Sequence, residues 1–150
     1  MKPPFFRYLD VGHDILRPVS APCPSGEGAR HSLSASGPGE VPFLSYSGTS
    51  GLGRVLGAVL DGQPTARSLR PTFSSHVAAV LTRMAKAGKG VAWLPVSLIE
   101  TELGNGELVA AGTPQNDIEI GIRVYRSRAR QSQAAEAFWD RIRAIQPAPA

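Results

Sequence analysis

The sequence predicts an α/β fold with mostly parallel strands, and three observations predict it. Ile118, Ile120, Ile122 and Val124 alternate with Glu119, Gly121, Arg123 and Tyr125, the period-two pattern of a strand with one apolar face. Leu52, Val55, Leu56, Val59 and Leu60 recur at the spacing of an amphipathic helix. Segments of these two kinds alternate along the chain, the order that lays parallel strands beside helical crossovers.

In chain order, residues 14–20 read as a short strand that Pro18 pushes to a sheet edge. Residues 21–40 are rich in Pro, Gly and Ser and cannot bury a face, so they form a loop or crossover. Residues 41–47 are a compact apolar run, a buried strand. Ser47-Gly48-Thr49-Ser50-Gly51 is a turn, and the helix through Leu52 and Leu60 ends at Asp61-Gly62. A weak strand over 69–73 carries Pro71. Ser74 and Ser75 are candidate N-caps for a helix with a stripe of Val77, Val80, Leu81 and Met84, closed by Gly88. Residues 90–94 form a buried strand stopped by Pro95. A helix over 98–103 ends at Gly104-Asn105-Gly106, and 107–111 are strand-like. After the strand at 118–125 comes a terminal helix with Ala134, Ala137, Phe138, Ile142 and Ile145 inward, closed by Pro147.

The bulk composition narrows the classes. The chain's 150 residues suit one domain or two small lobes, and a globule this size buries roughly 70% of its unfolded surface. Thirteen arginines and three lysines against twelve acids give a net charge of +4, which favours anionic partners weakly. The basic residues are scattered except for Arg123, Arg126, Arg128 and Arg130, which read as a solvated strand end and loop rather than a phosphate track. A single cysteine, Cys23, excludes an internal disulfide framework. There is no run of about 18 apolar residues for a membrane span and no secretory h-region at the start, so a reduced, cytoplasmic compartment is expected.

The ordered stretch Met84-Ala-Lys-Ala-Gly-Lys-Gly-Val-Ala-Trp-Leu-Pro95, then Leu103-Gly-Asn-Gly-Glu-Leu-Val109, resembles the effector-binding (substrate-binding) domain of LysR-type transcription regulators. The terminal strand and the helix with Phe138-Trp139 fit the same pattern, and the likeness runs from about residue 5 to 145. Tyr46-Ser47-Gly-Thr-Ser50 with Gly53-Arg54, followed by Val91-Ala-Trp-Leu-Pro95, looks like the hypochlorite-responsive subgroup. The resemblance implies a periplasmic-binding-protein-like fold of two α/β lobes joined by two crossover strands. On that template residues 1–40 are a remnant of the first lobe with its crossover, 41–112 the complete second lobe, and 113–150 the crossover strand and helix returning to the truncated first lobe. It also implies a small-molecule effector and a homo-oligomer, and it places the family's N-terminal helix-turn-helix outside this sequence, so no DNA binding is expected of this chain alone. Regulators of the subgroup are associated with methionine oxidation. Here the methionines are Met1 and Met84, and the start of the helix after Ser75 reads Ser75-His76-Val77.

Candidate ligand-binding residues are Ser47, Thr49 and Ser50 at one strand-to-helix turn and Ser74, Ser75 and His76 at the next. In an open α/β sheet such turns lie at the carboxyl ends of strands, where free N–H groups and the helix dipole suit a carboxylate or other anion. Helix capping alone accounts for the same residues. No catalytic, cofactor or metal pattern stands beside them. Gly51-x-Gly53-x-x-x-Gly57 misses the dinucleotide spacing, Gly48-Thr-Ser-Gly51 lacks the P-loop lysine, and Ser50 lacks the Gly-x-Ser-x-Gly frame of a hydrolase nucleophile. His13, His31 and His76 are dispersed, with no metal spacing. Cys23 reads as an incidental thiol, and Trp93 and Trp139 as core. The expected function is a ligand- or oxidant-sensing regulatory domain, not an enzyme. The competing readings are a freestanding solute-binding protein of similar fold and a small hydrolase using Ser50 and His76.

Overall fold

The strand and helix patterns take shape in a computed structural model that describes residues 5–34 and 37–146. In order they are β1 (Phe6–Ser20), β2 (Val41–Tyr46), α1 (Gly51–Leu60), α2 (Pro64–Ser68), β3 (Leu69–Ser75), α3 (Ala78–Lys86), β4 (Ala92–Pro95), α4 (Glu100–Asn105), β5 (Val109–Ala110), β6 (Ile118–Ser127) and α5 (Gln133–Ile145). Single 3₁₀ turns at Val96–Leu98 and Pro114–Asn116 join them. The chain divides into two compact units, a middle one of Ile15–Glu119 and a terminal one of Met1–Asp14 with Ile120–Ala150.

The middle unit holds two sheets. In one, β1 is flanked by β4 and β5 and is antiparallel to both, with Pro18 opposite Trp93 and Val19 opposite Ala110. In the other, β2 and β3 run parallel from Val41–Leu69 to Tyr46–Ser75. The expectation of mostly parallel strands is therefore corrected to a mixed arrangement. Periodicity reports what kind of element a segment makes, not the direction of its partner.

Pro18 corrects a second expectation, because it sits in a central strand and not at an edge. Its missing N–H would face Ala111, whose own N–H donates to the Pro18 carbonyl at 2.9 Å. The Ala111 carbonyl takes its proton instead from Leu33 N–H, at 2.8 Å, in the loop after β1. That loop thus satisfies the acceptor proline leaves open, as buried backbone requires.

Leu16, Val19, Leu44, Leu81, Val91, Trp93, Leu94, Ile99 and Leu108 form the core of the middle unit. Trp93 is fully buried, edge-on to Phe43 with centroids 5.7 Å apart. Its indole N–H donates to the Asn116 carbonyl and the Tyr46 hydroxyl donates to the Trp93 carbonyl, each at 2.9 Å. Both polar tips are satisfied, so the rings add their apolar area without an orphaned donor. Burial alone pushes the Tyr46 phenol up to about 12.

Ser74 and Ser75 are not helix caps. They lie in β3, and the residue preceding α3 is Val77, which has no capping side chain. The stripe of α3 shifts accordingly: Leu81, Thr82 and Ala85 are buried, whereas Val77 and Val80 are exposed and Met84 is half-buried. Gly88 does end the helix, at φ 77°, with its N–H on the Ala85 carbonyl and the Lys89 N–H on Met84.

The terminal unit pairs the start of β1 with β6. Phe5 accepts from Arg128 N–H at 3.1 Å, Tyr8 meets Tyr125 ring to ring at 5.7 Å, and Asp10 meets Arg123 at 2.6 Å. These partners run in opposite senses, so the pair is antiparallel. Ser132 caps α5 by accepting from Ala135 N–H. The inward residue of α5 is Trp139, 7% exposed, and not Phe138, which is 61% exposed. Arg126 lies 5.3 Å from the Trp139 ring and grips both oxygens of Glu136. Pro147, expected to close this helix, lies outside the described residues.

Candidate functional site

β2 and β3 are neighbours in a parallel sheet, so their carboxyl ends emerge side by side. Ser47 N–H donates to the Ser75 carbonyl at 3.0 Å, the last rung of the ladder. The two sequence-predicted turns therefore meet at one rim, at least through Ser47 and Ser75. Ser74 pairs with Ser45 one step earlier and is exposed. Successive strand side chains face opposite sides, so Ser74 and Ser75 cannot both serve this rim. His76 is exposed and precedes α3 by two residues.

The turn into α1 is closed by its own hydroxyls. Ser50 Oγ donates to the Ser47 carbonyl at 2.7 Å and accepts the Gly53 N–H at 2.9 Å. Ser50 is thus the N-cap of α1, with its proton committed to backbone. A nucleophilic Ser50 would need a base on that proton, and His76 does not hold it, so the geometry runs against the hydrolase reading. Gly53 is demanded sterically: a Cβ there would collide with the Ser47 carbonyl. The Ser47 and Thr49 hydroxyls stand 3.2 Å apart on the open side, and Arg54 reaches back to the Thr49 carbonyl at 3.3 Å.

This leaves a small electropositive rim. The N–H groups of Gly51 and Leu52, in the first turn, have no acceptor within the helix. Thr49 is exposed, and the Arg54 guanidinium adds a full positive charge where the helix dipole is already positive. No acid lies in the first turn of α1 to offset it. Such an arrangement suits a small anion. Arg54 was missed as a site residue from sequence. The usable signal was a basic side chain in the opening turn of a helix, where an acid is the favourable choice.

Elsewhere in the middle unit, a cavity of about 140 Å³ is lined by Arg17, Pro18, Ala110, Gly112, Thr113, Pro114 and Asp117. Its one cation, Arg17, is held by both oxygens of Asp117, with Nη2 at 2.8 Å, so it offers no free charge. Cys23 is half-exposed, and its thiol is held below the ordinary range by hydrogen bonds with Ser25 and by the nearby Arg30 charge. Among the described residues no cluster of three His, Cys, Asp or Glu could hold a metal ion, and no helix is long and apolar enough to cross a membrane.

Residues 18–146 match the model of the LysR substrate binding domain family. The chain belongs to that family. A LysR substrate-binding domain is a regulatory module of transcription regulators, not an enzyme. The chain is 31% identical to the HTH-type transcriptional regulator YjiE of Escherichia coli K12 over 94% of its own length and 45% of that protein's. It is 32% identical to the HTH domain-truncated transcriptional regulator QseD of Escherichia coli O157:H7 over 70% of its length and 43% of the relative's. It therefore spans less than half of these curated relatives. Among solved structures, the apo regulatory domain of HypT from Salmonella typhimurium superposes with a TM-score of 0.84 at 29% identity, covering 96% of this chain and 66% of that one. The bromide ion-bound form of that domain gives 0.80 at 31% identity, covering 93% and 64%. The mixed α/β architecture is thus that of a LysR regulatory domain, of which this LysR chain covers a part.

Proposed function

We propose that this chain is the ligand- or oxidant-sensing regulatory domain of a bacterial LysR-type transcription regulator, acting in the cytoplasm. In this reading residues 41–112 form one lobe, and residues 1–40 and 113–150 supply the crossovers and a portion of the other. The effector is a small anion. It sits at the head of α1 on the Gly51 and Leu52 N–H groups, with the Ser47 and Thr49 hydroxyls and Arg54 around it and Ser75 on the adjacent strand end. Ser50 shapes the turn, while Ser74 and His76 stand at the margin. The observation that carries this is a first helical turn whose free N–H groups face a hydroxyl pair and an arginine with no acid in that turn. The bromide-bound form of the similar HypT domain supports an anionic ligand class. The family match favours a regulator over a freestanding solute-binding protein. Ligand binding would act by favouring one conformation over another, with the bias set by its differential affinity. An oxidant would act at Met84 or Cys23, the two described sulfur-bearing residues.

Titration of the purified chain with sodium bromide, followed by calorimetry at constant ionic strength, tests the site. Thr49→Val and Arg54→Ala should each weaken binding by about three- to tenfold. Unchanged affinity in both variants would remove the anion from α1.

A further inference from the structure

The cavity of about 140 Å³ beside Arg17 and Asp117 is lined by residues of the middle unit alone. At about 30 Å³ for each water-sized group it has room for roughly four or five heavy atoms. Its walls are held by backbone. Proline rings fix the chain at Pro18 and Pro114. Asn116 Oδ1 accepts the Thr113 N–H at 2.9 Å, and the Asp117 N–H donates to the Pro114 carbonyl at 3.2 Å, which closes the turn that leads into Asp117. The polar wall is an ion pair. Arg17 Nε–H reaches both oxygens of Asp117 at 3.2 Å and Nη2–H reaches Oδ2 at 2.8 Å. The two side chains are 33% and 16% exposed, so salt screens this pair less than it would a surface pair. A guanidinium has five N–H groups and a carboxylate about four lone-pair sites, so these three contacts saturate neither partner. Nη1 is not among the donors they use. The Thr113 hydroxyl has a 3.4 Å contact with Asn116 Oδ1, long enough to be exchanged for a better partner.

Opposite charges thus stand side by side in one small wall, and together they cancel. An anion entering the cavity would gain Arg17 but meet the like charge of Asp117. A cation would meet the reverse. Repulsion of both charged classes is a source of specificity in itself. A neutral, planar group with a carbonyl beside an NH₂ satisfies both partners at once. We propose that this cavity is a second ligand site of the middle unit, selective for a small neutral primary carboxamide. The amide carbonyl accepts from Arg17 Nη1–H, and the amide NH₂ donates to the Asp117 carboxylate. A short aliphatic tail lies against Pro18, Ala110 and Pro114. The ion pair stays intact throughout, so neither half-buried charge loses its partner. The site uses other residues and another ligand charge than the anion reading of the α1 head, and it stands or falls separately.

Three probes of similar size and different charge test it: propionamide, propionate and propylammonium. Each is titrated into the ¹⁵N-labelled full chain at neutral pH and constant ionic strength. The amides of Gly112, Thr113 and Asp117 report the cavity, while those of Gly51 and Leu52 report the α1 head. Propionamide should shift the cavity amides and bind there at least about tenfold more tightly than either ion. Asp117→Asn removes the negative half of the wall and leaves the Arg17 charge uncompensated. Its preference at the cavity amides should reverse, with propionate overtaking propionamide, a change that a merely structural ion pair would not produce. Thr113 is exposed, so Thr113→Val keeps the fold and should weaken propionamide by about three- to tenfold. This second variant carries the test if Asp117→Asn does not fold. Cavity amides that do not respond to propionamide, equal affinity for the three probes, unchanged affinity in Thr113→Val, or a folded Asp117→Asn that still prefers the amide would each overturn the proposal.

Discussion

Single residues set the shape of the α1 turn and the pH response of the terminal helix. Gly53→Ala places a methyl group against the Ser47 carbonyl, so the turn must open. Overpacking of that kind costs about 1–3 kcal/mol, to be read as a lower urea midpoint. The same substitution should weaken bromide binding, because Ser47 moves with its carbonyl. Glu136 makes a different prediction. Its carboxyl is held down from the usual 4.5 to about 2, first by the Arg126 hydrogen bonds and then by the Gln131 N–H. A depressed folded-state value means the stabilisation is fully present above about 4.5 and is lost as pH falls toward 2. The α5 signal in an acid titration should therefore decay within that window. Glu136→Gln should flatten the decay, and an unchanged profile would mean that the carboxylate is not coupled to folding.

Elements were legible where a pattern stood on one face and illegible where the partner decided. The strand at Val41–Tyr46, helix α1 with its Asp61-Gly62 end, and the Gly88 stop were all readable, because spacing and glycine chemistry are local. The long β1 was read as a short strand because residues 6–13 show no clean alternation and pair only through a distant β6. The Pro18 reading failed because Leu33, fifteen residues away, supplies the hydrogen bond that proline cannot. Short α2 carries no periodic stripe, and none of its residues is buried. In α5 the sequence offered Phe138 and Trp139 side by side, and only the tertiary contact with Arg126 shows which turns inward. That difference is measurable. Trp139→Ala should destabilise α5 by about 3–5 kcal/mol. Phe138→Ala should stay within about 0.5 kcal/mol. Equal effects in denaturant titrations would reverse the assignment. The candidate rim was half legible: strand-to-helix turns can be found from sequence, but which two turns share a sheet edge depends on the β2–β3 pairing.

Across the whole molecule, burial is uneven. Among the described residues Trp139 is the sole member of the terminal unit that is buried, while nineteen other apolar residues of the core lie in the middle unit. Ile122 and Tyr125 of β6, 46% and 53% exposed, keep much of their apolar surface in water. Local opening follows buried contact density. Hydrogen exchange on a dilute sample should give deep protection at Leu44, Trp93 and Leu94 and faster exchange at residues 120–125. Equal protection in both regions would show a cooperativity that the burial pattern does not predict. Charge divides along the same boundary. Residues 15–119 contain eight basic and eight acidic side chains, and the two end segments contain eight basic and four acidic. The net charge of +4 belongs entirely to the ends. The middle unit is also one contiguous stretch, inserted between the two halves of the other. A gene trimmed to that stretch should yield a protein with no net charge at neutral pH that passes a cation exchanger, whereas the full chain, with a sequence pI of about 9.7, is retained. Affinity for a negatively charged resin should thus reside in the ends alone, and a protease that frees the middle segment would announce itself by a change of elution volume.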